Sequence, residues 1–172
     1  MKTLIIIPSR LSATRLPGKP LLKINGLSII SHVFKKAEKA NIGEVIVAAE
    51  DKEIVDDIKT NGGNAILTSK KPKTGTDRVY EALKILDRND VELVMNIQGD
   101  EPEIDITDIK KLYDNMKNNK KARIGTLAAK ISDIKMYDNQ NVVKVKTKES
   151  FDQNPFPLVE NFFRNIEKNE NN

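Results

Sequence analysis

The sequence contains no cysteine and no tryptophan, and only one of its 172 residues is a histidine. The absence of cysteine excludes disulfide bonds, thiolate zinc sites and cysteine nucleophiles. The single histidine, His32, argues against a histidine-based metal cluster or a Ser-His-Asp triad. Any chemistry must therefore use carboxylates, lysine, arginine, hydroxyl groups, backbone amides and cations that bind oxygen.

Long apolar runs and aromatic residues are also scarce. The strongest apolar run covers only residues 4–8, whereas a membrane helix needs about 20 apolar residues. Aromatic residues make up 5% of the chain and are not interleaved with the basic ones, and 25 acidic residues stand against 29 basic ones. This pattern argues against a nucleic-acid partner, although the net charge of +4 suits a small anionic one. We expect a cytoplasmic protein without membrane insertion.

Candidate strands and helices alternate along the chain. Apolar runs rich in β-branched residues predict buried strands, and apolar residues at helical spacing predict helices between them. The alternation predicts an α/β fold with a Rossmann-like, mostly parallel sheet and helices on both faces. We expect one domain over residues 1–159 and a polar, poorly ordered tail over 160–172. The predicted strands are 4–7, 45–49, 65–67, 93–97, 125–129 and 142–146, and the clearest predicted helices are 28–40 and 77–86.

The loop after the first predicted strand carries the strongest functional signal. It places three cations, Arg10, Arg15 and Lys19, within ten residues, together with Gly18. Ligands of such sheets bind at the carboxyl ends of the strands, and a loop of this composition is suited to cradle a polyphosphate. A solvated basic loop is the alternative interpretation.

Two further segments lie at the same predicted edge. Residues 96–102 read Asn-Ile-Gln-Gly-Asp-Glu-Pro, and a carboxylate there could hold Mg²⁺ together with phosphate oxygens, the alternative being an ordinary turn. Residues 74–78 read Thr-Gly-Thr-Asp-Arg. They indicate either a polar loop closing on a base or sugar, or a helix cap formed by Thr76 or Asp77. The next predicted helix includes Ile109, and we expect Thr107 or Asp108 to cap its amino end.

In combination these motifs are far more specific. The order PSRLSATRLPGKPL … GTDR … NIQGDEP … NVVKV, over residues 1–146, resembles the 3-deoxy-manno-octulosonate cytidylyltransferase (CMP-Kdo synthetase) family. The resemblance implies a nucleotide-diphospho-sugar transferase fold and a reaction of CTP with the sugar acid Kdo, using Mg²⁺, that makes CMP-Kdo for lipopolysaccharide synthesis. The alternatives are a cytidylyltransferase for sialic acid or amino-Kdo, and a CTP-binding fragment without turnover.

The resemblance also implies roles for individual residues. Arg10, Arg15 and Lys19 match positions that meet the triphosphate, and Asp100 matches a metal-binding aspartate, so that Lys19, Arg10 and Asp100 would be catalytic. The other substrate-binding matches are Gln98 near the sugar acid, Thr76, Asp77 and Arg78 near the base and sugar, and Arg164 in a Tyr-Phe-Ser-Arg-like stretch. Residues 49–51, Ala-Glu-Asp, depart from the Thr-Asp-Asp usual in the family.

The family's later motifs are missing from this sequence. The resemblance implies that a second metal-binding aspartate, most of the Kdo pocket and the surface of a homodimer belong to the region after residue 172. A truncated chain and a naturally shortened relative both agree with this pattern. We therefore expect the 172-residue chain to bind CTP weakly and to make little or no CMP-Kdo.

Overall fold

The computed structural model describes residues 1–12 and 16–165, in two compact units. The first unit is Met1–Lys120 and the second begins at Lys121. This division differs from the expected single domain over 1–159. In chain order the elements of the first unit are β1 (Thr3–Ser9), a 3₁₀ helix (Lys19–Leu21), β2 (Lys23–Ile24), β3 (Leu27–Ser28), α1 (Ile29–Lys39), β4 (Glu44–Ala49), α2 (Lys52–Thr60), β5 (Ala65–Leu67), α3 (Gly75–Leu86), β6 (Leu93–Asn96) and α4 (Ile106–Asn118).

The first unit is built on a four-stranded sheet in the order β5-β4-β1-β6, with every neighbouring pair parallel. All seven residues of β1 are buried, as a continuous apolar run predicts for a central strand. Pro8 was expected to end this strand but lies within it. A proline is tolerated there because the register of β1 with β6 has already ended at Ile6 and Asn96.

Helices cover both faces of the sheet, which confirms the predicted layer order. Along β1, Ile5 and Ile7 join a core with α1, α2 and α4, whereas Leu4 and Ile6 join a second core with α3. Successive side chains of a strand point to opposite faces, so one strand supplies both cores. The hydrophobic layers therefore hold the carboxyl end of β1 in a defined position.

The start of α4 corrects one expectation. Its N-cap is Asp105, whose carboxylate accepts a hydrogen bond from the amide of Thr107 at 2.8 Å. Thr107 and Asp108 are inside the first turn. An aspartate at the residue before the first turn has an extended backbone, which lets its carboxylate accept a hydrogen bond from a free amide of that turn.

The second unit contains α5 (Ile134–Asp138) and an antiparallel pair of strands, β7 (Lys144–Thr147) and β8 (Val159–Phe163). The expected tail began at residue 160, but β8 crosses that boundary because its backbone pairs with β7, a contact that local composition does not reveal. Residues 166–172 lie outside the described part.

The predicted strand at 125–129 was wrong: this segment has no regular structure and is mostly exposed, so its apolar residues have no sheet face to bury. Among the described helices, none has the length and apolar character needed to cross a bilayer.

The amino end of α1 offers a test of how the first unit is stabilised. Ser28 is fully buried, accepts a hydrogen bond from the amide of Ser31 at 3.1 Å and donates one to Asp57. We expect Ser28→Ala to lower the free energy of unfolding by about 1–2 kcal/mol, measured by urea denaturation. The exposed Thr60, in the last turn of α2, provides the control Thr60→Ala, and equal stability losses in the two variants would contradict this assignment.

Candidate functional site

A cavity of about 320 Å³ lies at the carboxyl edge of the sheet, where ligands of parallel α/β sheets bind. The end of β1, the 3₁₀ helix, the loop before α3 and the loop after β6 form its walls. It lies within the first unit. The lining residues are Pro8, Ser9, Arg10, Lys19, Pro20, Pro72, Lys73, Thr74, Gly75, Arg78, Gln98, Gly99 and Asp100.

The structure brings five of the sequence-predicted site residues to this cavity: Arg10, Lys19, Arg78, Gln98 and Asp100. Lys19 Nζ lies 2.9 Å from Asp100 Oδ2, so two motifs that are 81 residues apart in the chain meet directly. Both side chains remain partly open to solvent, at 33% and 58% exposure. Exposed ion pairs contribute little stability, so a bound anion or cation can displace this one at small cost.

Glycines allow the loops to approach β1 closely. A Cβ atom at Gly99 would lie 2.9 Å from the carbonyl oxygen of Pro8 and 3.0 Å from Ile30 Cδ1. A Cβ at Gly75 would lie 3.2 Å from Pro8 Cγ. The Gly99 position has no room for a side chain without movement of backbone, and this explains the glycine between Gln98 and Asp100. The sequence by itself indicates only a turn at this glycine.

Arg78 is at the cavity but is almost completely buried, at 2% exposure. Its guanidinium donates to Thr68 Oγ1 at 2.6 Å and to the carbonyl of Ser69 at 3.1 Å, and it forms an ion pair with Glu50. Glu50 also accepts a hydrogen bond from the hydroxyl of Ser12 at 3.0 Å. Arg78 is therefore a structural tie as well as a cavity residue.

The acidic pair after β4, Glu50 and Asp51, holds the start of the first loop at Leu11 and Ser12. Asp51 Oδ2 accepts a hydrogen bond from the amide of Leu11 at 2.7 Å, next to the contact of Glu50 with Ser12. Their position directly after a buried strand marks both residues as candidates at the ligand edge. Their contacts with the first loop are not predictable from the local pattern, because Leu11 and Asp51 are 40 residues apart in the chain.

Two predicted residues, Thr76 and Asp77, are not among those that line the cavity. Both are in the first turn of α3, and Asp77 forms a reciprocal capping box with Thr74, accepting from its amide at 3.0 Å and its hydroxyl at 2.8 Å. These hydrogen bonds hold the pKa of Asp77 below its usual 3.8. The helix-cap interpretation of this segment thus describes Asp77, although the capping residue itself is Thr74.

Two predicted arginines cannot be related to the cavity. Arg15 lies outside the described residues. Arg164 belongs to the second unit, where its guanidinium donates to the carbonyls of Gln140 and Asn141 at 3.3 and 3.1 Å. Their matches to substrate-binding positions stay predictions.

The charged side chains around the cavity suit an anion whose own oxygen atoms can also coordinate a metal ion. Arg10 and Lys73 are exposed cations at its rim, and Lys19 adds a third charge. Within residues 1–12 and 16–165, no group of three or more His, Cys, Asp or Glu side chains could enclose a metal ion. Asp100 is a single hard carboxylate, which fits Mg²⁺ when phosphate oxygens and waters complete the coordination.

Comparison with known proteins identifies the family of this chain. The profile of the cytidylyltransferase family matches residues 4–169. The chain belongs to the cytidylyltransferase family. Among similar proteins, the 3-deoxy-manno-octulosonate cytidylyltransferase of Rhodopseudomonas palustris (strain BisB18) is 45% identical over 145 residues, which is 84% of this chain and 59% of that protein. The protein of the same name from Hahella chejuensis (strain KCTC 2396) is 37% identical over 164 residues, 92% of this chain and 64% of that one. The resemblance recognised from the motifs is thus confirmed.

Comparison with solved structures identifies the fold of this cytidylyltransferase-family chain. A CMP:2-keto-3-deoxy-manno-octonic acid synthetase complexed with CTP superposes with a TM-score of 0.83 at 32% identity, over 98% of this chain and 68% of that one. A cytidylyltransferase from Leptospira borgpetersenii serovar Hardjo-bovis (strain JB197) gives a TM-score of 0.58 at 26% identity, over 69% and 50% of the two chains. The predicted nucleotidyltransferase fold is confirmed. The chain spans about 59% of the length of the first curated relatives that it matches.

We expect the buried ion pair of Glu50 and Arg78 to contribute more to the free energy of unfolding than an exposed charge does. We expect Glu50→Gln to lower the free energy of unfolding by about 3 kcal/mol or more, because it leaves the Arg78 charge buried without its counter-charge. Denaturant unfolding measures this, and Glu53→Gln, an exposed glutamate in the first turn of α2, is the matched control. A second change, Arg78→Gln, should restore part of the loss in the double variant. A Glu50→Gln protein as stable as the control would show that the pair contributes nothing.

Asp77 allows its capping role to be separated from a substrate role. We expect Asp77→Ala to lower the unfolding temperature while CTP affinity stays the same, since the carboxylate caps α3 and does not line the cavity. Because folding lowers its pKa, the carboxylate stabilises the protein above pH 3.8 and this contribution is lost as pH falls through the lowered value. The difference between wild type and variant, measured by thermal unfolding, should therefore shrink in acid. A clear loss of CTP affinity would instead support the substrate role.

Proposed function

We propose that this chain carries the nucleotide-binding side of a 3-deoxy-manno-octulosonate cytidylyltransferase, which converts CTP and Kdo into CMP-Kdo and pyrophosphate. The observation that carries the proposal is the meeting of Arg10, Lys19 and Asp100 at one cavity on the carboxyl edge of the sheet. Relatives with this name match 83% or more of the chain in several cases, and a similar solved structure was determined with CTP. The product would serve lipopolysaccharide synthesis.

The chemistry is nucleotidyl transfer without a covalent enzyme intermediate. The anomeric hydroxyl of Kdo gives up its proton to solvent as its oxygen forms a bond to the α-phosphorus of CTP, the bond from that phosphorus to the bridging oxygen breaks, and pyrophosphate leaves with the electron pair. Such reactions depend on alignment and on neutralising the charge that develops on the leaving group. The absence of cysteine and the single histidine agree with a mechanism of this kind.

The cavity residues divide these tasks. The Lys19 ammonium and the Arg10 guanidinium would bind phosphate oxygens and neutralise the leaving pyrophosphate, and Arg15 is proposed to join them. Asp100 would hold Mg²⁺, which when bound neutralises phosphate charge and can lower the pKa of a hydroxyl. We assign Gln98 to the sugar acid, because it lies between the strand end and Asp100. Arg78 is proposed for the base and ribose side.

The decisive experiment measures CTP binding by calorimetry with and without Mg²⁺. We expect Lys19→Ala to weaken CTP binding by about 10- to 100-fold, since it removes a charge-assisted hydrogen bond. Lys23→Ala, at an exposed lysine in β2, is the control and should bind CTP like the wild type. Asp100→Asn should lose the gain in affinity that Mg²⁺ produces, yet bind metal-free CTP at least as well, because Lys19 is then released from its ion pair.

Two results would reject the proposal. One is CTP affinity that is unchanged in Lys19→Ala, and the other is an Mg²⁺ effect that is unchanged in Asp100→Asn. Pyrophosphate release by a form that also carries the region present in the longer relatives, measured separately with Kdo, sialic acid and amino-Kdo, then identifies the sugar acid.

A further inference from the structure

Ser9 is a buried polar residue that the reaction scheme does not use. It is the last residue of β1, it is 7% exposed and it lines the cavity. Its hydroxyl oxygen is shielded from solvent and has no hydrogen-bond partner among the residues that the structure describes. Buried hydroxyls without a partner are rare because their desolvation is not compensated.

The neighbouring residues in β1 and β4 give no reason for a hydroxyl group at position 9. By the alternation along β1, its side chain follows Ile5 and Ile7, which belong to an apolar core. Its paired residue in β4 is Ala49, which is also buried in that core. An alanine would therefore suit the position in the ligand-free protein, and the hydroxyl has a use only if the cavity supplies its partner.

The partner should be an uncharged polar group. Apart from the buried Arg78, which is paired with Glu50, the charges of the cavity are at Arg10, Lys19, Lys73 and Asp100, of which Lys19 is partly exposed and the others are exposed. These groups suit phosphate and metal. A neutral hydroxyl in an apolar wall cannot balance the charge of a buried phosphate, but it can donate to or accept from a base or a ribose.

We propose that the Ser9 hydroxyl is a specificity-determining contact that hydrogen-bonds the nucleoside part of the bound nucleotide. This inference rests on the proposed function, since it presumes that a nucleoside triphosphate occupies the cavity. It predicts two opposite effects of Ser9→Ala. The free protein becomes more stable, because a buried hydroxyl without a partner among the described residues is removed, and CTP binding becomes weaker, because a hydrogen bond in the complex is lost.

Calorimetry and thermal unfolding of the 172-residue chain test this. We expect Ser9→Ala to weaken CTP binding about tenfold and to leave the affinity for inorganic tripolyphosphate unchanged. In the absence of ligand its unfolding temperature should rise by about 2–4 °C. The near-isosteric Ser9→Cys, a weaker donor, should also lose CTP affinity, and it serves as the deciding variant if Ser9→Ala does not fold.

A matched control is available in α1. Ser31 is 1% exposed, and its hydroxyl donates to Asp57 at 2.9 Å. Ser31→Ala should therefore lower the unfolding temperature and leave CTP affinity unchanged, the reverse of Ser9→Ala. Binding of dCTP locates the contact: a loss with CTP but not dCTP places it on the ribose 2′-hydroxyl, and an equal loss with both places it elsewhere on the nucleoside.

The outcomes separate this inference from the function on which it rests. If the wild type binds CTP and Lys19→Ala weakens that binding, but Ser9→Ala and Ser9→Cys do not, the proposed function stands and the Ser9 contact is wrong. Equal weakening of CTP and tripolyphosphate by Ser9→Ala also rejects the nucleoside contact. If the wild type binds neither ligand, the proposed function fails and the Ser9 contact fails with it.

Discussion

The burial of β1 on both faces is the constraint on which the first unit depends. Its seven residues lie between two helical layers and two neighbouring strands, so the chain can leave the core only at the ends of the strand. The loop that carries Arg10 and Lys19 therefore starts from a rigid point. A basic loop on a less constrained element would pay more conformational entropy to hold its cations around one anion.

Two ion pairs, one buried and one exposed, constrain the two ends of the same loop to different degrees. The buried pair of Glu50 and Arg78, together with the contact of Asp51 to the Leu11 amide, ties the start of the loop to β4 and α3. The exposed pair of Lys19 and Asp100 closes its far end. Breaking the first would leave a charge in the interior, whereas the second can open toward water or a ligand. One end is thus fixed and the other is free to exchange partners.

This arrangement would leave the nucleotide side of the proposed substrate site preformed. The cavity offers cations for phosphate, one carboxylate for a metal that is also bound by phosphate, and a neutral hydroxyl at Ser9 in its apolar wall. Each group suits a different part of a nucleotide. In the proposed reaction the attacking sugar must be held by further residues, and Gln98, which lines the cavity, is the one we assign to it in the first unit.

The sequence by itself determined the parallel α/β fold, the family, and five residues of the cavity, because continuous apolar runs and short polar motifs directly after them are local signals. Only the tertiary structure decided which partners these residues have. It showed Asp77 to be a cap rather than a cavity residue, moved the cap of α4 to Asp105, extended β8 past residue 160, and left 125–129 without a strand. It also revealed the Glu50–Arg78 tie and, among the residues it describes, no hydrogen-bond partner for the Ser9 hydroxyl. The physical reason is that strand pairing, side-chain burial and hydrogen-bond satisfaction depend on segments that are far apart in the chain, and no local pattern records them.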